Sequence, residues 1–561
     1  MKSSARVGAI VAYLAAVLLF VGGVYYVTLP PLSVSSGAFW TFFFFVDAVV
    51  FVSYLVVGLL SGRTLGSFVR ISHGNVDFRT KALRKLRFIR IQVIVTLVVV
   101  LLLIVGAILS SEMLRAKTYS SLITVNEGDF SADISETEYV SDIALMDSAS
   151  ARIIGARTLG TLSDLVSQYN VAYSYTQIAM RGADGNTYPY KVAPLEYASF
   201  FKWVTNSRSG IPGYVKVDPV RFDAEFVRLD GEYIRYSDSA YFGKDLTRAL
   251  RFAYPTAIFG SVYFEVDDNG HPYWIASIVE PNAGLFGAFD VCAVVTLDAC
   301  TGETMKYVPS ESPEWIDIVY SGDLLCRKYD WYGMLRGGYL NSAFAQTDCV
   351  VTTDDFGYKI MGNDVYIFTG VTSTSNDEAN IGFILANSRT GEYSYYGVPG
   401  AEEYSAMSAA EGSVQQYGYR ASFPSLINVG GEATYIMVLK DASGIVKRYS
   451  MVNVRNYNIV VSGETQDEVF RSYKVALSQN SPALSDELLT EEVIVVDELI
   501  YTTQGGDTVV YVRSGERVFR TDFDEALLFV DEGDTMTVYY APISAPSSDS
   551  VIPMLRFTLV G

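Results

Sequence analysis

Three segments of the chain show no polar period: VGAIVAYLAAVLLFVGGVYYV from Val7, FWTFFFFVDAVVFVSYLVVGLL from Phe39 and IQVIVTLVVVLLLIVGAIL from Ile91. Each is close to the roughly 20 residues that a helix rising 1.5 Å per residue needs to cross a hydrocarbon core. They predict transmembrane helices over about 7–27, 39–60 and 91–109, within a membrane domain of 1–111. The pattern then changes. LRAKTYSSLITVNEGDFSADI is polar and aperiodic and predicts a stalk over 112–145. Leu162, Leu165, Val166 and Tyr169 repeat at helical spacing, as do Tyr197, Phe200, Phe201 and Val204 after Pro194, with Gly210 as the stop. From Gly213 the period is two, in runs such as SVYFEVDD, HPYWIASIVE, DVYIFTGV and TYIMVLK, which alternate β-branched or aromatic residues with polar ones. GAEEYSAMSAAEGSVQQYGY interrupts them as a helix with Tyr404, Met407, Val414 and Tyr417 on one face.

After the polar linker SQNSPALSDELLTEE come about five short strands over 491–561, a pattern suited to a small barrel of the OB or SH3 kind. The fold class expected is α+β: three N-terminal transmembrane helices, a mainly antiparallel β region with a few amphipathic helices over 146–480, and a C-terminal small barrel.

Charge orients this arrangement. Residues 1–110 carry ten Lys or Arg against Asp47 and Asp77, while the rest of the 561 residues carries 32 basic and 60 acidic residues. Eight of the ten cations fall in the connector 62–90, whereas 28–37 has no charge, and basic short loops stay in the cytoplasm. The expectation is a multi-pass cell-membrane protein with a cytoplasmic N-terminus and its large acidic region outside. Arg79, Lys81, Arg84, Lys85, Arg87 and Arg90 would lie at the inner leaflet, where they set orientation and meet anionic lipid. The acidic body excludes nucleic acid as a partner, because phosphate binding needs net positive charge.

Two stretches repeat one another: VCAVVTLDACTGETMKYV from Val291 and GFILANSRTGEYSYY from Gly382. Each has an apolar run, a turn ending in Thr-Gly-Glu and a second run, carried by Asp298 to Glu303 and by Asn387 to Glu392. With the AAEG of Ala409 to Gly412, these residues resemble the PepSY-type modules of bacterial envelope proteins, over roughly 290–460. That resemblance implies a non-catalytic module acting on an envelope partner such as a peptidase.

The catalytic inventory is thin. The two histidines are His73, in the basic connector, and His271, in the turn DDNGHPYW, so the outer region lacks the imidazoles of a typical zinc enzyme and has one histidine for any triad. HExxH, GxSxG and phosphate-binding glycine loops do not occur. No cofactor is expected, though Asp267, Asp268 and Asn269, or Asp354 with Asp355, could offer oxygens to calcium. All four cysteines lie in the outer part. An extended 292–300 would hold Cys292 and Cys300 roughly 26 Å apart, so each is expected to pair with Cys326 or Cys349, four free thiols being the alternative. Asp47 sits inside the second apolar segment, where a carboxylate costs a few kcal/mol unless protonated or paired; a proton or partner-helix role stands beside a bond to Tyr13, Ser53 or another hydroxyl. The function expected is a membrane-anchored extracytoplasmic binding, scaffold or regulatory protein, with a protein partner or a second copy of itself. A carboxylate-dependent hydrolase and an accessory subunit of a transport complex are the alternatives.

Overall fold

The computed structural model describes residues 2–60, 76–140, 143–374, 376–480, 489–504, 507–540 and 551–559; His73 lies outside them. Three helices, Lys2–Thr28, Gly37–Leu60 and Val76–Leu109, contain the spans Val7–Thr28, Gly37–Val57 and Phe88–Leu109, each long and apolar enough to cross a membrane. The third begins at Val76, so the later part of the basic connector is helical, as its Leu, Lys and Arg content favours. Arg90 is exposed there, while the side chains of Arg79, Lys81, Arg84, Lys85 and Arg87 lie outside the description.

Asp47 is held by the third helix. Gln92 Nε2 donates to Asp47 Oδ1 at 3.1 Å and to its carbonyl at 2.9 Å, and Thr96 Oγ1 donates to Oδ2 at 2.9 Å. Gln92 and Thr96 are four residues apart, hence on one helix face. The carboxylate is therefore part of the helix–helix contact, while Tyr13 and Ser53 bond to each other at 3.2 Å.

The segment expected as a stalk is woven into the body. It forms the helix Glu112–Ser120 and the strand Val125–Gly128, which pairs in parallel with Tyr393–Tyr396. Two β units follow. In the first, strands Tyr169–Val171, Thr176–Arg181, Thr187–Tyr197, Gly213–Asp218 and Asp223–Arg228 share a core with the antiparallel meander Phe259–Val266, Pro272–Ala283, Gly287–Asp298 and Thr304–Tyr307. The expected helices are shorter than their periodicity suggested. Ser148–Gly160 is helical, but 163–168 is a series of turns that leads into the strand Tyr169–Val171, and Pro194 sits inside a strand because Leu195 and Tyr197 are buried there, so that the next helix is only Phe200–Asn206.

The second unit has a seven-stranded sheet centred on Asp364–Ser373 and Asn376–Asn387, and a five-stranded sheet centred on Glu432–Lys440. In the latter strand the two-residue period is fully used. Tyr435, Met437 and Leu439 face the helix Glu403–Ser413, and Ile436 and Val438 face the helix Gln466–Asn480. The C-terminal part has six strands in the order Thr490–Val495, Thr535–Tyr540, Val551–Leu559, Arg517–Asp522, Asp507–Ser514, Glu498–Gln504.

The repeated Thr-Gly-Glu stretches form the same turn. Asp298 Oδ1 accepts N–H groups from Cys300 and Thr301 at 2.7 and 2.9 Å; Asn387 Oδ1 accepts those of Arg389 and Thr390 at 2.8 and 3.0 Å. Gly302 and Gly391 have φ of +83° and +75°, a left-handed conformation that glycine adopts without strain.

Two sets of contacts dock the body onto the three long apolar helices. Ser110, just past the third helix and buried, accepts N–H groups from Leu285 and Phe286 at 2.8 and 3.0 Å through Oγ, while its carbonyl accepts the Tyr119 hydroxyl at 2.8 Å. On the other side Arg251, buried on the helix Leu246–Ala253, donates to Leu29 O at 3.0 Å and Ala257 O at 2.5 Å, and Leu32 N–H donates to Pro255 O at 2.8 Å. The neighbouring Arg248 donates to Tyr26 O at 3.4 Å and Phe242 O at 2.7 Å. A methyl group at Gly287 would overlap both the Tyr119 hydroxyl and the Ser110 carbonyl.

Ser110→Ala leaves two amide donors without their acceptor and is expected to lower stability by roughly 1–3 kcal/mol. Gly287→Ala should destabilise at least as much, because it pushes the hairpin off the helix. Both are checked by thermal unfolding of the full chain in detergent micelles.

Candidate functional site

The two β units border a half-open cavity of about 380 Å³. Its wall is assembled from five directions, one of them the segment 144–148, which brings Asp147 to it. Gln177 and Lys191 come from adjacent strands of the first unit, where they are cross-strand partners. Phe356, Tyr358 and Phe368 come from the seven-stranded sheet and the turn before it, Tyr404 and Met407 from the helix Glu403–Ser413, and Phe423 from the loop beyond it. Phe423 packs against Phe368 at 5.9 Å and against Tyr404 at 6.4 Å between ring centroids.

Lys191 is the unusual member. It is 6% exposed and lines the cavity, and its ammonium has no hydrogen-bond or ion-pair partner among the described residues. Burial lowers its pKa from 10.5 to about 8, against a smaller opposing pull from Asp147. That Asp cannot serve as a dedicated counter-ion. It caps the helix Ser148–Gly160 through Ser150 N–H at 2.8 Å and is bonded to Lys440 of the second unit. Burial pushes its carboxyl upward, but the Lys440 hydrogen bond and charge outweigh this and hold it below its usual value. Lys359, also driven down to about 8 by burial, contrasts with Lys191 because its Nζ donates to Leu426 O at 2.7 Å.

The helix that presents Tyr404 and Met407 is fixed by Glu403, which is fully buried. Its carboxylate accepts Gly370 N–H at 2.7 Å and the Thr353 hydroxyl at 3.1 Å, and burial raises its pKa to about 7. The site thus has a rigid aromatic side, the Lys191 cation and, along its wall, the Asp147 and Asp355 carboxylates. A second groove of about 420 Å³, lined by Arg157, Arg221 and Lys447, has its charged groups at its open rim and holds no buried cation.

The residues singled out by sequence lie elsewhere. Asp267 Oδ1 accepts the N–H groups of Asn269 and His271 at 2.9 and 2.8 Å and so organises its own turn, whereas Asp268 Oδ1 accepts that of Arg181 at 3.2 Å and ties the turn to the strand Thr176–Arg181. Asp355 Oδ1 accepts Phe356 N–H at 2.8 Å, on the cavity rim.

The cysteine pairing is corrected: all four are free thiols. Cys292 and Cys300 pack in the core of the first unit and Cys326 against the second, on the helix Gly322–Leu335. Cys349 lies beside Met334 O at 3.6 Å, eight residues along that helix from Cys326, hence roughly 12 Å away at 1.5 Å per residue. Burial pushes the thiols of Cys292 and Cys326 up, and that of Cys300 up to about 12.

A carboxylate pair that sequence could not reveal is Glu265 with Asp317, both buried. Glu265 accepts the N–H groups of Asp317 and Ile318 at 2.8 and 3.1 Å, and Asp317 accepts that of Ala179 at 2.9 Å. They bind backbone, sealed from any substrate. Burial raises Glu265 to about 7, and burial with the Glu265 charge raises Asp317 well above the carboxylate range. Raised acids favour the folded state at low pH and lose that contribution as pH climbs through the folded pKa. The melting temperature should therefore fall between pH 5 and 8, and fall less in Asp317→Asn. Neither protein-family models nor curated proteins match this sequence.

Proposed function

We propose that this chain is a membrane-anchored extracytoplasmic binding protein of the cell envelope whose inter-unit cavity takes a small organic anion, a carboxylate on an apolar or aromatic body, and passes occupancy to a partner. The observation that carries this reading is the unpartnered ammonium of Lys191 facing an aromatic-walled cavity. An anion there would relieve a cost of about 3 kcal/mol, the equivalent of the drop from 10.5 to about 8. Aromatic walls with a few fixed polar groups are the usual makeup of a small-molecule site.

The basic connector supports a cytoplasmic N-terminus with the body outside. The docking of that body through Ser110 and Arg251 supports a regulatory role, since occupancy and membrane helices then share one mechanical unit. Matching turns at Asp298 and Asn387 support the PepSY-like reading, and the C-terminal six strands would form the small barrel and reach a protein partner. Neither rival reading has a comparable observation: Glu265 and Asp317 are sealed, and Asp47 is bonded to its neighbours in the bundle.

The test uses the full chain in nanodiscs, with N-acetylphenylalanine as probe and its amide as control, read by calorimetry. The acid should bind and the amide should not, with affinity falling up to tenfold per pH unit above about 8 as Lys191 loses its proton. Lys191→Met should abolish binding while raising the melting temperature. Equal binding of acid and amide, or unchanged binding in Lys191→Met, would sink the reading. A periplasm-selective reporter fused at the C-terminus tests the orientation.

A further inference from the structure

Outside that cavity the fold gathers three side chains from distant parts of the first unit. Glu232 lies on the loop leading to Ile234, His271 ends the turn after Phe259–Val266, and Cys300 sits in the Thr-Gly-Glu turn. Their ligand atoms all lie within 4.8 Å of one another. We propose that Glu232, His271 and Cys300 form a site for a zinc-class divalent ion, with the fourth position left to water.

The spacing is close to what such an ion needs. With bonds of about 2.0 Å to nitrogen and oxygen and about 2.3 Å to sulfur, tetrahedral ligands stand roughly 3.3–3.5 Å apart. Glu232 Oε2 is 3.0 Å from His271 Nδ1, and a rotamer adjustment of about an ångström brings the thiol into range. The donor set decides the metal: one thiolate, one imidazole and one carboxylate suit zinc and disfavour calcium or magnesium, which take oxygen.

The surroundings fit a cation. Asp298 Oδ2 lies 3.2 Å from His271 Nε2, although Nε2 lacks an aligned hydrogen-bond partner. A small rotation of the ring would give Nε2–H to Asp298, leaving Nδ1 for the metal, which is how a carboxylate commonly orients a ligating histidine. Asp298 is itself immobilised by the N–H groups of Cys300 and Thr301. Arg235 is a cation acting on Cys300, opposed there by Asp298 and Glu232. Cys300 is 7% exposed, which shields it from oxidants, whereas the Glu232 side chain is 54% exposed and gives an ion its way in. On binding, the thiol proton leaves to solvent and the thiolate forms the metal–sulfur bond.

The site is separable from the anion cavity, and so is its test. Full-length protein in micelles, stripped with chelator, is titrated with Co²⁺. The expected result is a thiolate-to-cobalt charge-transfer band in the near ultraviolet with intense tetrahedral visible bands, displaced by Zn²⁺ and lost in Cys300→Ser and in His271→Ala. Cys292→Ser should keep the full spectrum. Circular dichroism and melting curves establish that each variant is folded. Absence of the band in folded wild-type protein, its survival in Cys300→Ser, or its loss in Cys292→Ser would each overturn the proposal.

Discussion

The hydroxyl of Ser110 joins the third long helix to the β-rich body. A helix ends with carbonyls that have no partner within it, and the chain beyond must find its own hydrogen bonds. Ser110 meets that need in both directions: its Oγ receives two amides from the Leu285–Phe286 hairpin tip, and its carbonyl receives Tyr119. Gly284 and Gly287 flank the tip because any side chain there would collide with Ser110. Arg251 does the equivalent work at the connector between the first two helices. The body is consequently seated on the helices at two places rather than tethered by a strand of polar chain.

What could be read in advance follows from how local each signal is. The three long apolar helices are legible because twenty residues of one character are enough. The Asx-type turns are legible because Asp298 or Asn387, an adjacent Thr and a Gly fix the geometry within six residues. The helix Leu246–Ala253 could have been found too: Asp245 caps it, and Leu246 and Leu250 share its buried face. Lys191 could not. In YPYKVAPLEY it looks like an outward residue of an edge strand, and only the second β unit, more than 150 residues later in the chain, closes over it. The cysteines failed for the complementary reason, since compartment and count constrain the number of pairs but not which core each thiol enters.

Buried charge in the body is spent in two distinct ways. Glu265, Glu403 and Asp317 each accept backbone amides and so act as fixed pins between strands and loops that share no ladder. Lys191 pins nothing. The contrast matters because these three buried carboxylates are tied to backbone while Lys191 lines a cavity.

The helix Phe200–Asn206 and its neighbours give the body a further relation to its surroundings. Phe200, Trp203, Tyr241 and Phe242 form one aromatic group, with Phe201 and Phe242 largely uncovered, and Arg248 ties the Phe242 carbonyl to that of Tyr26 at the end of the first long apolar helix. The group is thus fastened to one of the three helices long and apolar enough to cross a membrane. Any tilt of the body against that helix would have to break the Arg248 bonds or carry these rings along, so the aromatic group and the helix end move as one piece.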